Sequence, residues 1–432
     1  MEIKLTRRVS GIAESATLAI SAKAKKLKAE GRDVVNFGVG EPDFNTPDYI
    51  IEAAIKAMRE GKTKYTPASG IPELKKAIVE NRKLAVGAEY SPSQVVIGTG
   101  AKQPLYNAIA ALAEEGDEVI VPSPYWVTYP ELAGYCGAKS VFVETKPENG
   151  YKMTAEELEK AITPRTKLLI LNSPNNPTGA VYSREELSAI AEVILKHDGI
   201  FVISDEIYRD LVYGGEKHVS IASLGEEIKA RTIIIDGMSK SYAMTGWRIG
   251  WAIAPEKIAA AMTRAQSHIT SNVNSVAQYA SLEGLTNKEK SDEFIAEMRK
   301  TFDSRRLAAV KILENHGVKF IMPKGAFYIF VNVSGTYGKT TKGGIGIENS
   351  ADFANALLNE KEVAVVPGSA FGADDYVRIS YATDESALKK GIEKLCVFIE
   401  ETAAKITEKT AGETAAKITA KNTEKTAGGE KK

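Results

Sequence analysis

The chain is poor in cysteine and histidine, and this removes several classes of protein. Cys136 and Cys396 are its only two cysteines, so no disulfide framework is available and a reducing compartment is favoured. The four histidines do not cluster in sequence, and neither a CxxC nor an HExxH motif occurs. A zinc site built from His and Cys is therefore disfavoured, and we expect no metal.

An excess of charge of one sign is also absent. Lys and Arg together number 56, as do Asp and Glu, so we expect no general polyanion partner such as nucleic acid. No apolar run approaches the ~18 residues that suggest a membrane span, and the N-terminus has no signal-like apolar stretch. We expect a cytoplasmic protein without a membrane partner. The GxGxxG loop is missing too, which disfavours a dinucleotide-binding dehydrogenase.

Short apolar runs alternate with amphipathic helical patterns over most of the chain. Continuous runs of this kind are typical of strands that are buried on both faces of a sheet. Their alternation with helices predicts an α/β fold with a largely parallel sheet, which binds its ligands at the carboxyl ends of the strands. The clearest runs begin at Val95, Glu118, Lys167, Ile200 and Thr232.

The pattern changes after about residue 287, where a long charged helical stretch precedes several strand-like runs. This predicts a smaller α+β domain at 288–400, after a large domain at 46–287. We expect the N-terminal segment, 1–45, to pack with the small domain. The remaining 401–432 is of low complexity and has too little apolar surface to offset the entropy of ordering. We predict a tail that is mostly disordered or weakly helical.

Polar motifs follow four of the apolar runs. Gly100 precedes a helix whose N-terminus suits an anion, although a plain helix start explains it equally well. Asn176 begins an Asn-Pro-Thr-Gly turn that could be only structural. Asp205 is either a helix cap or a carboxylate directed into the ligand crevice. Lys240 lies in a segment with little other charge, and a desolvated lysine becomes a nucleophile for carbonyl groups.

Together these motifs resemble those of the class I/II pyridoxal-phosphate-dependent aminotransferases of fold type I. The resemblance covers about 5–399 and is carried by Asn-Pro-Thr-Gly, by Asp-Glu-Ile-Tyr and by Ser-Lys-x-x-x-x-x-Gly-x-Arg, which runs from Ser239 to Arg248. The most similar subgroup is the bacterial one that contains thermophilic-type aspartate aminotransferases. It implies a large domain with a mostly parallel sheet between helices, a smaller α+β domain, and a homodimer with a shared active site.

The resemblance also implies pyridoxal 5'-phosphate as the cofactor. Lys240 would bind it covalently and later carry the proton, and Asp205 would pair with the ring nitrogen, where a nearby anion keeps that nitrogen protonated. Trp126 would stack on the ring, unless it only packs in the core. Asn176 and Tyr208 would hydrogen-bond the phenolic oxygen. The implied phosphate contacts are Gly100, Ala101, Ser239, Arg248 and, for the neighbouring subunit, Tyr65.

Substrate binding follows from the same resemblance. Arg378 would hold the α-carboxylate in two-point fashion, and Lys102 would read a distal carboxylate, which favours aspartate and glutamate in a ping-pong transamination. Aromatic amino acids and prephenate are the alternative substrates. A pyridoxal-phosphate lyase and a non-catalytic regulatory protein are alternative functions on the same fold. The implied substrate-binding residues are Gly40, Trp126, Asn176, Arg378, Lys102, Ser15 and Thr17.

Overall fold

The computed structural model of the 432-residue chain describes residues 3–14 and 16–403. Within these residues the strands are, in chain order, β1 (Val35–Asn36), β2 (Val95–Thr99), β3 (Glu118–Ser123), β4 (Lys139–Glu144), β5 (Thr166–Asn172), β6 (Phe201–Asp205), β7 (Thr232–Gly237), β8 (Ile249–Ile253), β9 (Phe320–Ile321), β10 (Tyr328–Asn332), β11 (Lys339–Thr340), β12 (Gly346–Ile347), β13 (Val363–Ala364), β14 (Val366–Pro367) and β15 (Tyr376–Ser380).

Helices separate most of these strands, as the alternation predicts. In the same residues they are α1 (Arg7–Ser10), α2 (Ala16–Ala29), α3 (Asp48–Arg59), α4 (Pro72–Val86), α5 (Lys102–Leu112), α6 (Thr128–Tyr135), α7 (Ala155–Ala161), α8 (Arg184–Lys196), α9 (Glu226–Lys229), α10 (Glu256–Ile269), α11 (Ser275–Thr286), α12 (Lys288–Asn315), α13 (Ser350–Lys361) and α14 (385–403). None of them is long and apolar enough to cross a membrane.

A seven-stranded sheet with the order β2-β8-β7-β6-β5-β3-β4 forms the centre of the large part of the molecule. Its strands are parallel except β8, which runs antiparallel to both of its neighbours. The five predicted runs are β2, β3, β5, β6 and β7. The predicted fold class is confirmed, although β4 and β8 were missed. β4 is an edge strand with mostly exposed or half-buried residues, so it lacks a continuous apolar run.

Burial on both faces explains the apolar runs. In β5, Leu168 and Ile170 pack with α5 on one face of the sheet, whereas Leu169 and Leu171 pack with α8 on the other. Because successive side chains of a strand point to opposite faces, a sheet covered by helices on both sides needs apolar residues at every position.

A smaller, antiparallel sheet with the order β14-β15-β10-β9 packs with α12, α13 and α14 around a second core. The N-terminal segment joins this part, since Val35 of β1 pairs in parallel with Val363 of β13. The domain boundaries themselves stay a prediction. Of the predicted tail, 401–403 continue α14 and Thr402 is buried, while 404–432 lie outside the described residues.

Candidate active site

The carboxyl ends of β5, β6 and β7 meet at one edge of the large sheet. β5 ends at Asn172, which is paired in register with Asp205 at the end of β6. β7 ends at Gly237, and Lys240 follows it. Because these three strands are parallel neighbours, the polar residues that follow them converge. They line a cavity of about 400 Å³ between the large sheet and the N-terminal segment.

Most of the residues that the sequence singles out line this cavity. They are Thr17, Gly40, Ala101, Lys102, Trp126, Asn176, Asp205, Tyr208, Ser239, Lys240, Arg248 and Arg378. Gly100 lies beside the cavity, against the guanidinium of Arg248. Tyr65 is outside it, with 92% of its surface exposed, and Ser15 lies outside the described residues.

Lys240 is largely enclosed at the centre of the cavity. Its Nζ donates a 2.5 Å hydrogen bond to the carbonyl oxygen of Gly40 and lies 5.8 Å from the ring centre of Tyr208. Burial lowers the pKa of the Lys240 amine to about 8, with further lowering from Arg378 and opposition from the Glu41 carboxylate. A substantial fraction of this amine is therefore neutral, and so nucleophilic, near neutral pH.

Asp205 is a buried carboxylate held from two sides. Tyr129 donates a 2.7 Å hydrogen bond to its Oδ2, and the backbone N–H of Ile207 donates a 3.2 Å bond to its Oδ1. Asn172 donates from its amide to the Asp205 backbone oxygen at 3.1 Å. Burial raises the pKa of Asp205 to about 6 despite the Tyr129 bond, so the group is mostly ionised at neutral pH.

Arg378 also lines the cavity and is 2% exposed. Its Nη1 donates to Oδ1 of Asn176 at 3.0 Å and its Nη2 to the carbonyl oxygen of Gly38 at 2.9 Å. The guanidinium lies over the ring of Tyr328, 4.3 Å from its centre, and its buried Nε has no hydrogen-bond partner. A buried arginine with donors to spare can bind an anion such as a carboxylate.

The loop between β2 and α5 forms a second anion-binding feature. Gly100 has a φ of +66°, and a Cβ there would lie 2.8 Å from Cζ of Arg248. A Cβ on Gly250 of β8 would lie 2.6 Å from the Cα of Ala101. The two glycines thus let the backbone approach a helix N-terminus and a guanidinium closely. Backbone N–H groups and a nearby arginine at such an end suit a phosphate.

Lys102 and Trp126 lie next to this loop. Nζ of Lys102 is 5.0 Å from the centre of the Trp126 ring, and the Trp126 ring makes an edge contact with Tyr129. Burial, together with the nearby Arg248, lowers the pKa of Lys102. Across the cavity, α2 presents Thr17, Ser21 and Lys25, which are spaced by one helical turn and therefore share a face.

Two tyrosines of the site escaped the sequence reasoning. Tyr129 follows Trp126 by one turn at the start of α6, and this spacing is the signal that could have found it. Tyr328 lies within the apolar run of β10 and reads as core, yet its hydroxyl is 2.9 Å from that of Tyr208. Both line the cavity.

A buried ion pair supports β6 behind the site. Glu206 points away from the cavity and pairs with Arg82 of α4. It also accepts hydrogen bonds from Ser220 at 2.6 Å and from His218 at 2.8 Å. Burial alone would raise the pKa of Glu206, but Arg82 and His218 hold it well below its ordinary value. This network anchors the strand end that carries Asp205.

We predict that Arg82→Met destabilises the fold by about 3–5 kcal/mol, because it leaves the Glu206 carboxylate buried without its cation. The measurement is urea unfolding. The double variant Arg82→Met/Glu206→Gln should lose less than the single one, since the remaining amide is neutral.

Lys83→Met is the matched control on the same helix. Its ion pair with Glu89 is exposed, so the expected loss is below about 1 kcal/mol. Equal losses in Arg82→Met and in the double variant would show that the ion pair does not account for the stability of this region.

Comparison with known proteins agrees with this geometry. The family model of the class I and II aminotransferases matches residues 32–395. An aspartate aminotransferase of Bacillus subtilis is 48% identical over 400 residues, covering 92% of this chain and all of that protein. An aspartate/prephenate aminotransferase of Cereibacter sphaeroides is 46% identical over 395 residues, covering 91% of this chain and 98% of its own.

Solved structures show the same fold. The aspartate aminotransferase of Thermus thermophilus, crystallised with maleate, superposes with a TM-score of 0.87 at 42% identity. The match covers 92% of this chain and all of that one. The Rhizobium meliloti aspartate aminotransferase gives a TM-score of 0.88 at 42% identity, over 93% of this chain and all of that one.

Proposed function

The chain belongs to the class I and II aminotransferases, and we propose that it exchanges amino groups between aspartate or glutamate and 2-oxo acids, with pyridoxal phosphate as cofactor. The observation that carries this proposal is the composition of one cavity of about 400 Å³. It brings together a lysine with a lowered pKa, a buried carboxylate and a buried arginine, namely Lys240, Asp205 and Arg378.

The residues present fit the cofactor. Its phosphate matches the close approach of Gly100, Ala101 and Arg248, where an added Cβ would fill the space. Ser239 is buried beside them as a further donor. The planar ring of the cofactor suits the space beside Trp126, which lines the cavity next to Lys102. When bound, pyridoxal phosphate supplies an aldehyde that holds the amino group and a ring that accepts electrons as the Cα–H bond breaks.

Lys240 is the residue that we assign to covalent attachment and to proton transfer. Its neutral fraction near pH 8 supplies the nucleophile, and the same Nζ, once released, can take and return a proton. The backbone oxygen of Gly40 accepts a hydrogen bond from this amine and so fixes its direction. Aromatic rings of Tyr208 and Phe327 flank it at 5.8 Å and exclude water.

Asp205, Asn176 and Tyr208 are the residues that we assign to the cofactor ring. An ionised Asp205 keeps a ring nitrogen protonated, because a nearby anion favours the cation. Asn176 and Tyr208 lie on the side of Arg378, where their donors suit the phenolic oxygen. The oxygen of the Asn176 amide already accepts from Arg378, so its NH₂ group is the part that remains for the ring.

Arg378 is the residue that we assign to the α-carboxylate of the substrate. Asn176, Gly38 and the ring of Tyr328 hold its guanidinium in place before any ligand binds. This preorganisation reduces the entropy that binding would otherwise cost. Gly40 lines the same cavity.

Acidic substrates are supported by Lys102 and Thr17, which line the cavity beyond Lys240, and Ser15 is the third residue assigned there by resemblance. The names of the Bacillus and Thermus relatives agree with aspartate. The Cereibacter relative, named for prephenate as well, favours prephenate as a second candidate substrate.

A homodimer is part of the proposal. The side chain of Tyr65 is 92% exposed, which suits a residue that completes the phosphate site of a second copy. A cytoplasmic location stays a prediction, and it agrees with two cysteines that are not disulfide-bonded.

For Lys240→Ala we expect turnover to fall by about 10²–10⁴-fold or more, because the variant lacks the group that moves the proton. After borohydride reduction, mass spectrometry should find the cofactor covalently bound to the wild type and to the control Lys25→Ala, but not to Lys240→Ala. Covalent cofactor on the Lys240→Ala protein would contradict the assignment.

Lys102→Ala should separate substrate classes. The lost hydrogen bond to a distal carboxylate is charge-assisted and is worth about 1.5–3 kcal/mol, so kcat/KM for aspartate should fall about 10–100-fold. We expect kcat/KM for phenylalanine to stay within about three-fold.

Lys25→Ala serves as the matched control here, since it removes another cation that lines the same cavity. It should change neither substrate as strongly as Lys102→Ala changes aspartate. Equal losses for aspartate and phenylalanine in Lys102→Ala would instead assign Lys102 to the phosphate.

A further inference from the structure

Tyr129 is a buried tyrosine of the site whose role the resemblance leaves open. It is the second residue of α6, is 2% exposed, and its hydroxyl reaches the last residue of β6. Its hydroxyl donates a 2.7 Å hydrogen bond to Oδ2 of Asp205. A buried hydroxyl needs a hydrogen-bond partner, but a backbone carbonyl would satisfy it as well as a carboxylate does.

The choice of a carboxylate has consequences for charge. A hydrogen bond donated to a carboxylate favours the ionised form, so it opposes the effect of burial on Asp205. The other charged and titratable groups near Asp205 are Tyr208 and Lys240 in the cavity, Asp236 of β7, and Glu206, which points away from the cavity. Asp236 and Glu206 are anionic and raise the pKa of Asp205 further, which leaves Tyr129 as the strongest influence that lowers it.

Tyr129 also fixes geometry. With Tyr129 on Oδ2 and the N–H of Ile207 on Oδ1, both oxygens of Asp205 are oriented before a ligand arrives. The Tyr129 ring meets Trp126 edge-on, with centres 5.5 Å apart and planes at 86°. One side chain therefore contacts both the carboxylate assigned to the ring nitrogen and the aromatic group assigned to the ring face.

We propose that Tyr129 is a positioning residue that holds Asp205 ionised and correctly oriented for a protonated ring nitrogen. This rests on the proposed cofactor. Below the pKa of Asp205, binding a protonated ring must first remove a proton from the carboxyl group, so affinity falls as the pH drops. Without the Tyr129 bond, that fall should begin at a higher pH.

The test uses pyridoxamine phosphate, which forms no covalent bond with Lys240, so that no pH-dependent covalent step enters the measured affinity. Its dissociation constant is measured from pH 5.5 to 8.5 for the wild type and Tyr129→Phe. We expect the low-pH fall of the Tyr129→Phe curve to move up by about one pH unit. Affinity at pH 6 then drops about five-fold and stays within about two-fold at pH 8.5.

Two comparisons make the result specific. Tyr125→Phe removes a hydroxyl from a neighbouring half-buried tyrosine that stacks on Phe142, and it should leave the curve unchanged. In an Asp205→Asn background, Tyr129→Phe should no longer shift the curve, because the titrating partner is gone. The wild-type ring contact with Trp126 is retained in Tyr129→Phe, and circular dichroism checks its fold.

The possible results distinguish a failure of the role proposed for Tyr129 from a failure of the proposed function. Wild type that binds no pyridoxamine phosphate at any pH would overturn the cofactor assignment itself. Alternatively, the wild type binds tightly and the affinity of Tyr129→Phe is lower by the same factor at every pH. That result would overturn only the proposed role of Tyr129 and would leave it a packing residue. A shift that persists in the Asp205→Asn background would equally contradict the proposal.

Discussion

The rest of the site depends on a carboxylate that is buried at the end of a central parallel strand. Burial pushes Asp205 toward its neutral form, whereas hydrogen bonds from Tyr129 and Ile207 hold it ionised. The result is a fixed negative charge in an enclosed cavity. The cavity also holds Lys240, whose amine pKa is lowered to about 8 by the same burial, so that part of it is neutral near neutral pH. Opposite effects of one environment on an acid and a base thus prepare both groups for chemistry near neutral pH.

Much of this could be read from the sequence. Strands β5, β6 and β7 are recognisable in the sequence as apolar runs because helices cover both faces of the sheet. The polar residue that follows each run then falls at the same edge, and the sequence therefore predicts that Asn176, Asp205 and Lys240 lie close together. Family resemblance added Arg378, which is far from them in sequence and reaches the cavity only through the pairing of β10 with β15.

What escaped prediction has a physical reason in each case. β4 lies at the sheet edge, so its exposed residues break the apolar pattern. Tyr328 looks like a core residue because its ring is buried, yet that ring contacts Arg378 and its hydroxyl lies 2.9 Å from that of Tyr208. The Arg82–Glu206 pair joins α4 to the end of β6, and no local pattern reveals a contact between residues so distant in sequence. Tyr129 likewise contacts Asp205 only through its hydroxyl, and the two residues are far apart in sequence.

Above all, we propose that this cavity carries a transamination of acidic amino acids. The visible absorption spectrum of the purified protein with pyridoxal phosphate tests it. Adding L-aspartate should abolish the cofactor band, and adding 2-oxoglutarate should restore it, so that both half-reactions are seen in one cuvette. A band that ignores aspartate but responds to prephenate's amino counterpart or to phenylalanine would contradict the acidic substrate. No protein-bound band, after incubation with pyridoxal phosphate and removal of the unbound cofactor, would contradict the central claim.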